Sequence, residues 1–80
     1  MIKRARATEK AIRLIESENT IVIETDSNDT KETIKKEFER MFNVKVERIN
    51  IINKGKKKIA YVKLNKNNNA MDLAAKIGVI

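Results

Sequence analysis

The sequence predicts a small α+β domain: an antiparallel sheet of three to four strands flanked by helices, in the order α-β-α-β-β-α. Apolar residues recur at helical spacing in three separate segments, and β-branched runs of strand length lie between them. The chain is also short, at 80 residues, and has no proline, no internal repeat and no shift of composition that would mark a linker. A chain of this size buries only about 60% of the surface its unfolded form exposes, which supports one core and not two. Residues 1–80 are therefore expected to form a single domain, with residues 1–7 as a basic N-terminal arm.

The first helix is expected over residues 8–16, where Ala11, Leu14 and Ile15 fall on one side and Lys10, Arg13 and Ser17 on another. Thr8 is placed to cap it, because its hydroxyl can accept from an unpaired N–H of the first turn, and Glu9 lies near the positive end of the helix dipole. Residues 20–25 are β-branched almost throughout and form a strand with Ile21 and Ile23 on one face, Val22 and Glu24 on the other. Residues 26–30 collect Asp, Ser, Asn and Thr, whose side chains bond to nearby backbone, and Asp29 with Glu32 has the spacing of a capping box.

A second helix presents Ile34, Phe38, Met41 and Phe42 on one face, and Asn43 suits the left-handed residue that ends it. Over residues 44–53, Val44 and Val46 share one phase and Ile49 and Ile51 the other, so a β-bulge is expected near Glu47 and Arg48. The lysine-rich run 54–58 contains Gly55 and forms a hairpin tip leading into a strand over 59–64, with Ala60, Val62 and Leu64 on one side. The Asn-rich residues 65–69 cap a final helix over 70–77, which Gly78 ends, leaving Ile80 to fold back.

Catalysis is opposed by absence. The chain has no His and no Cys, so the commonest neutral-pH base, the commonest metal ligand and the thiol nucleophile are missing. Two glycines cannot build a phosphate-cradling loop, and the carboxylate pairs Glu16/Glu18 and Glu37/Glu39 point to different sides of their helices. No catalytic residue, metal site or cofactor is expected. The missing cysteines fit a reducing cytosol. No apolar run approaches the roughly 20 residues needed to cross a bilayer, and neither a signal peptide nor a membrane partner is expected.

Charge points to a polyanion. The net charge is +7, and it is segregated: residues 1–13 sum to +4, residues 14–44 to −4 and residues 45–80 to +7. Lys3, Arg4, Arg6, Lys10 and Arg13 form a basic arm running into a helix, while Lys54, Lys56, Lys57 and Lys58 stud the hairpin tip. Aromatics are scarce. Phe38 and Phe42 are committed to the core, and Tyr61 is expected to be buried or partly buried in the sheet, so phosphate and shape recognition of folded RNA is favoured over single-strand readout. A protein-interaction module for an acidic partner and a generic DNA-binding protein are the alternatives.

Four strings in this order carry a further likeness: Thr8-Glu9-Lys10-Ala11; Glu18-Asn19-Thr20-Ile21-Val22; Ile34-Lys35-Lys36 with Met41-Phe42-Asn43-Val44-Lys45-Val46; and Ala60-Tyr61-Val62-Lys63-Leu64 followed by Ala70-Met71-Asp72-Leu73-Ala74. Together they resemble the large-subunit ribosomal protein family twenty-three in its short archaeal-like form, over nearly the whole chain. The resemblance implies a ribosomal constituent that binds large-subunit rRNA beside the polypeptide exit tunnel, next to neighbouring ribosomal proteins. It also implies a docking platform for nascent-chain factors such as the signal recognition particle. By position it adds Thr8 and Lys63 to the expected RNA contacts and makes Glu9 a factor contact. The chain lacks the family's usual proline before Thr-Glu-Lys, has Ile59 where a second basic residue often stands, and carries a hairpin too short to enter the tunnel.

Overall fold

The computed structural model describes residues 2–6, 8–25, 29–55 and 57–78, with the side chains of residues 2–4 and 54 left aside. Seven elements follow in order: β1 (Ile2–Ala5), α1 (Glu9–Glu18), β2 (Thr20–Thr25), α2 (Lys31–Phe42), β3 (Val46–Lys54), β4 (Lys57–Leu64) and α3 (Ala70–Ile77). The strands make one antiparallel sheet in the order β1-β2-β4-β3.

The α+β class holds, and the strand count is the upper of the two expected. The additional strand is the N-terminal arm. With no apolar periodicity, the first six residues are expected to be disordered in isolation, yet β1 pairs with β2, Ala5 lies opposite Ile23, and the Arg6 N–H donates to the Val22 carbonyl at 2.8 Å. A strand at a sheet edge is recruited by unpaired backbone donors and acceptors, which a search for side-chain periodicity does not see.

The sheet has two unlike faces. On one, Ile21 and Ile23 of β2, Ile49 of β3 and Ala60, Val62 and Leu64 of β4 form a core with Ile34 and Phe38 of α2 and Ala70, Leu73 and Ala74 of α3. On the other, Val22 and Ile59 meet Ala11 of α1, with Leu14 and Tyr61 packed at the margin. Helix α1 thus wraps an end of the sheet, sending Ile15 into the first core and Ala11 into the second cluster. Both faces of β2 are covered, so all six of its residues are buried.

The β-bulge falls where the phase change requires it. Val46 pairs with Leu64 and Arg48 with Lys63, which leaves Glu47 as the extra residue. The Val46 N–H is held by a Glu39 carboxylate oxygen at 2.8 Å. At the tip, Lys54 pairs with Lys57 and Gly55 takes φ +61°, a left-handed turn conformation that suits glycine.

Capping follows the sequence in most places. The Thr8 hydroxyl accepts from the Ala11 N–H at 3.1 Å, Asn43 ends α2 at φ 54°, and Asn69 and Gly78 bracket α3. Helix α2 differs, because Thr30 and not Asp29 is its N-cap, accepting from the Thr33 N–H at 3.2 Å. Asp29 is one residue too early to reach the first-turn donors. Met41 also departs from its expected core position and is 53% exposed, because the Ile34–Phe38 stripe already fills the contact with the sheet. Phe42 stays half-buried, edge-on to Phe38 with ring centroids 4.7 Å apart. The expected fold-back of Ile80 lies outside the described residues.

Candidate nucleic-acid interface

Strand alternation puts a defined set of residues on the face that α2 and α3 do not cover. Once the bulge has absorbed Glu47, Arg48, Asn50 and Ile52 of β3 share that face with Lys57, Ile59, Tyr61 and Lys63 of β4. The register sets Arg48 opposite Lys63, Asn50 opposite Tyr61 and Ile52 opposite Ile59. Arg48 and Asn50 are exposed, Tyr61 and Lys63 half-buried, and Ile52 is 42% exposed.

Helix α1 forms the opposite wall. Lys10, Leu14 and Glu18, at successive turns, face Arg48, Asn50 and Ile52 across a groove of about 310 Å³ floored by Tyr61, Lys63 and Thr20. A smaller depression of about 100 Å³ shares Lys10, Leu14 and Tyr61 and continues to Arg6 and Thr8. The two make a continuous track from the end of β1, past the start of α1, to the bulged end of β3.

Electrostatics on this track are lopsided. Arg48 and Lys63 are like charges directly opposite in neighbouring strands, an arrangement that destabilises a sheet by roughly 0.2–1 kcal/mol. Lys10, Arg48 and Lys63 have no hydrogen bond or ion pair to another side chain among the described residues. Among the described residues, Glu18 at one end is the only acid that lines the groove. Arg6 is partly engaged, with one guanidinium nitrogen 3.9 Å from the carboxylate of the buried Glu24. Rows of uncompensated cations beside one another are what a polyanion would neutralise.

The structure therefore gathers Arg6, Thr8, Lys10 and Lys63 of the expected RNA contacts along one track. Arg13 is exposed on α1 but lines neither depression, and Lys57 is exposed at the hairpin end of the same face. Lys58 belongs elsewhere. It alternates to the core side, where its ammonium donates to the Asp29 carbonyl at 2.7 Å and ties the hairpin to the approach to α2. Lys56 lies outside the described residues, as do the side chains of Lys3, Arg4 and Lys54. Glu9 is exposed in the first turn of α1.

Sequence reasoning missed Arg48 and Asn50. The signal was present: the bulge fixes which alternate residues of β3 share a face, and the hairpin register carries that face to Tyr61 and Lys63. Among the described residues no group of three or more Asp and Glu could hold a metal ion, and no helix is long and apolar enough to cross a membrane.

The family model described as Ribosomal protein L23 matches residues 1–72. The large ribosomal subunit protein uL23 of Pyrobaculum aerophilum is 55% identical over 82 residues, with both chains covered completely. The protein of the same name from Tetrahymena thermophila is 42% identical over the whole of this chain, which spans 54% of that relative. A family model matching most of the chain, together with a relative more than half identical over its full length, shows that this chain belongs to the ribosomal protein L23 family.

Proposed function

We propose that the chain is a structural, non-catalytic constituent of the large subunit of cytoplasmic ribosomes. It binds large-subunit rRNA through the α1–β3 track, beside neighbouring ribosomal proteins at the rim of the polypeptide exit tunnel. There it contributes to the platform on which nascent-chain factors such as the signal recognition particle dock. Family membership supports the ribosomal part, since both relatives are named large ribosomal subunit proteins. The observation that carries the RNA part is the Arg48–Lys63 pair. These are two facing cations without an acid between them, on an open sheet face beside a third at Lys10.

The test is a titration of the purified chain against a large-subunit rRNA fragment, a scrambled fragment of equal length and duplex DNA across a salt series. Preference for the ribosomal fragment that survives rising salt supports the reading. Equal and steeply salt-sensitive binding to all three reduces the chain to a general polyanion binder. For the factor platform, charge reversal at the exposed Glu9 is the informative change: crosslinking of assembled ribosomes to purified signal recognition particle falls if that turn is a contact and is unaltered if it is not.

A further inference from the structure

The groove between α1 and β3 is not shaped for phosphates alone. Its lining carries the cations Lys10, Arg48 and Lys63, but also an apolar stretch made by the half-buried Tyr61 and Leu14 and the exposed Ile52. A duplex backbone resting on the cations would neutralise the charges and leave that apolar surface against water. The flat face of a base would cover it, and base-on-aromatic stacking is tolerant of sequence. Asn50 stands exposed directly across from Tyr61 and offers both a donor and an acceptor to a base edge. The Tyr61 hydroxyl has no hydrogen bond among the described residues, so packing alone holds the ring. The groove volume of about 310 Å³ matches the lower end of small-ligand sites, roughly 300–1,000 Å³.

We propose that this groove receives one unpaired nucleotide from a loop or bulge of folded RNA. Its base stacks on Tyr61 beside Ile52 and Leu14, and its flanking phosphates lie on Lys10, Arg48 and Lys63. The inference rests on the RNA-binding reading above and narrows it, from folded RNA in general to RNA that can offer an extruded base. A chain with few aromatics cannot line up several bases, but one ring is sufficient for one base.

The chain has one tyrosine and no tryptophan, so its tyrosine emission reports on Tyr61 alone. The full chain is titrated with an RNA hairpin carrying an unpaired loop, a blunt RNA duplex of equal length and charge, and poly-glutamate. Emission should be quenched by the hairpin and not by the duplex. Y61F should keep hairpin affinity, while Y61L should lose about tenfold, within the range for removing one stacking partner, with duplex affinity unchanged. Ile52 is exposed enough that I52S should fold normally, and it should show a smaller loss selective for the hairpin, which decides the matter if Y61L is poorly folded.

Equal binding of hairpin and duplex, with Y61L and I52S affecting neither and the R48A/K63A double variant weakening both, overturns the nucleotide site and leaves RNA binding intact. Quenching by poly-glutamate equal to that by the hairpin overturns it in favour of an acidic peptide. Failure of every RNA to bind removes the underlying reading and the site together.

Discussion

Along β4, Ala60, Val62 and Leu64 enter a core closed by α2 and α3, while the intervening Tyr61 and Lys63 reach a face that α1 covers only in part. The same backbone serves both. On the closed side every β4 position from 60 to 64 is apolar and nearly inaccessible; on the open side cations face each other without compensation. The closed face supplies the stability that lets the open face keep an arrangement unfavourable to folding. Placing charged residues on rigid strands also fixes their spacing ahead of any partner.

The largest expected effect tests the closed face. Phe38 is fully buried, and F38A should cost about 3–5 kcal/mol in urea denaturation, a large share of what a domain of this size has. Its folded fraction should bind RNA with an unchanged salt slope. A loss of only about 1 kcal/mol, no more than an average substitution, would show that the core is not what holds the sheet.

Next is Asn19, the left-handed residue ending α1 at φ 52°. Its amide donates to the Asn68 carbonyl at 2.9 Å and, at longer range, to those of Leu64 and Asn65, while its oxygen accepts from the Ala70 N–H at 2.7 Å. One side chain thereby fastens the start of α3 to the corner between α1 and β2. N19G keeps the backbone conformation and loses the bonds, so it should cost about 1–3 kcal/mol, with N19A lower still by the left-handed strain of about 1 kcal/mol. Equal stability of N19G and wild type would remove this clamp from the account.

The open face predicts the opposite trade. R48A/K63A should reduce the salt slope of RNA binding by about two, one for each lost phosphate contact, while leaving stability unchanged or higher by roughly 0.2–1 kcal/mol. A clear loss of stability would mean that these cations are held by something other than their partner. The smallest effects separate two adjacent lysines. K58A should lower stability by about 0.5–1.5 kcal/mol through the lost bond to Asp29 and leave the slope alone. K57A should flatten the slope by about one and leave stability alone.

Local chemistry was legible in the sequence. The caps at Thr8, Asn43 and Gly78 depend on residues within a few positions of each other, as does the bulge between Val46 and Arg48, and each stands where side-chain type and phase require. What was not legible lay in the register. Lys57 and Lys58 are indistinguishable in composition, and only the β2–β4 and β3–β4 registers decide which faces the open side and which reaches Asp29.

By itself the sequence determined the α+β class, the order and approximate bounds of six elements, the apolar face of most of them, and a basic chain suited to a polyanion. The tertiary structure decided the rest. It recruited the N-terminal arm as β1, brought Lys10 of α1 across from Arg48 of β3, and set Tyr61 between them. Periodicity and capping are written in neighbouring residues, whereas edge pairing, register and the meeting of cations distant in the chain are fixed only when strands align and their backbone groups find partners.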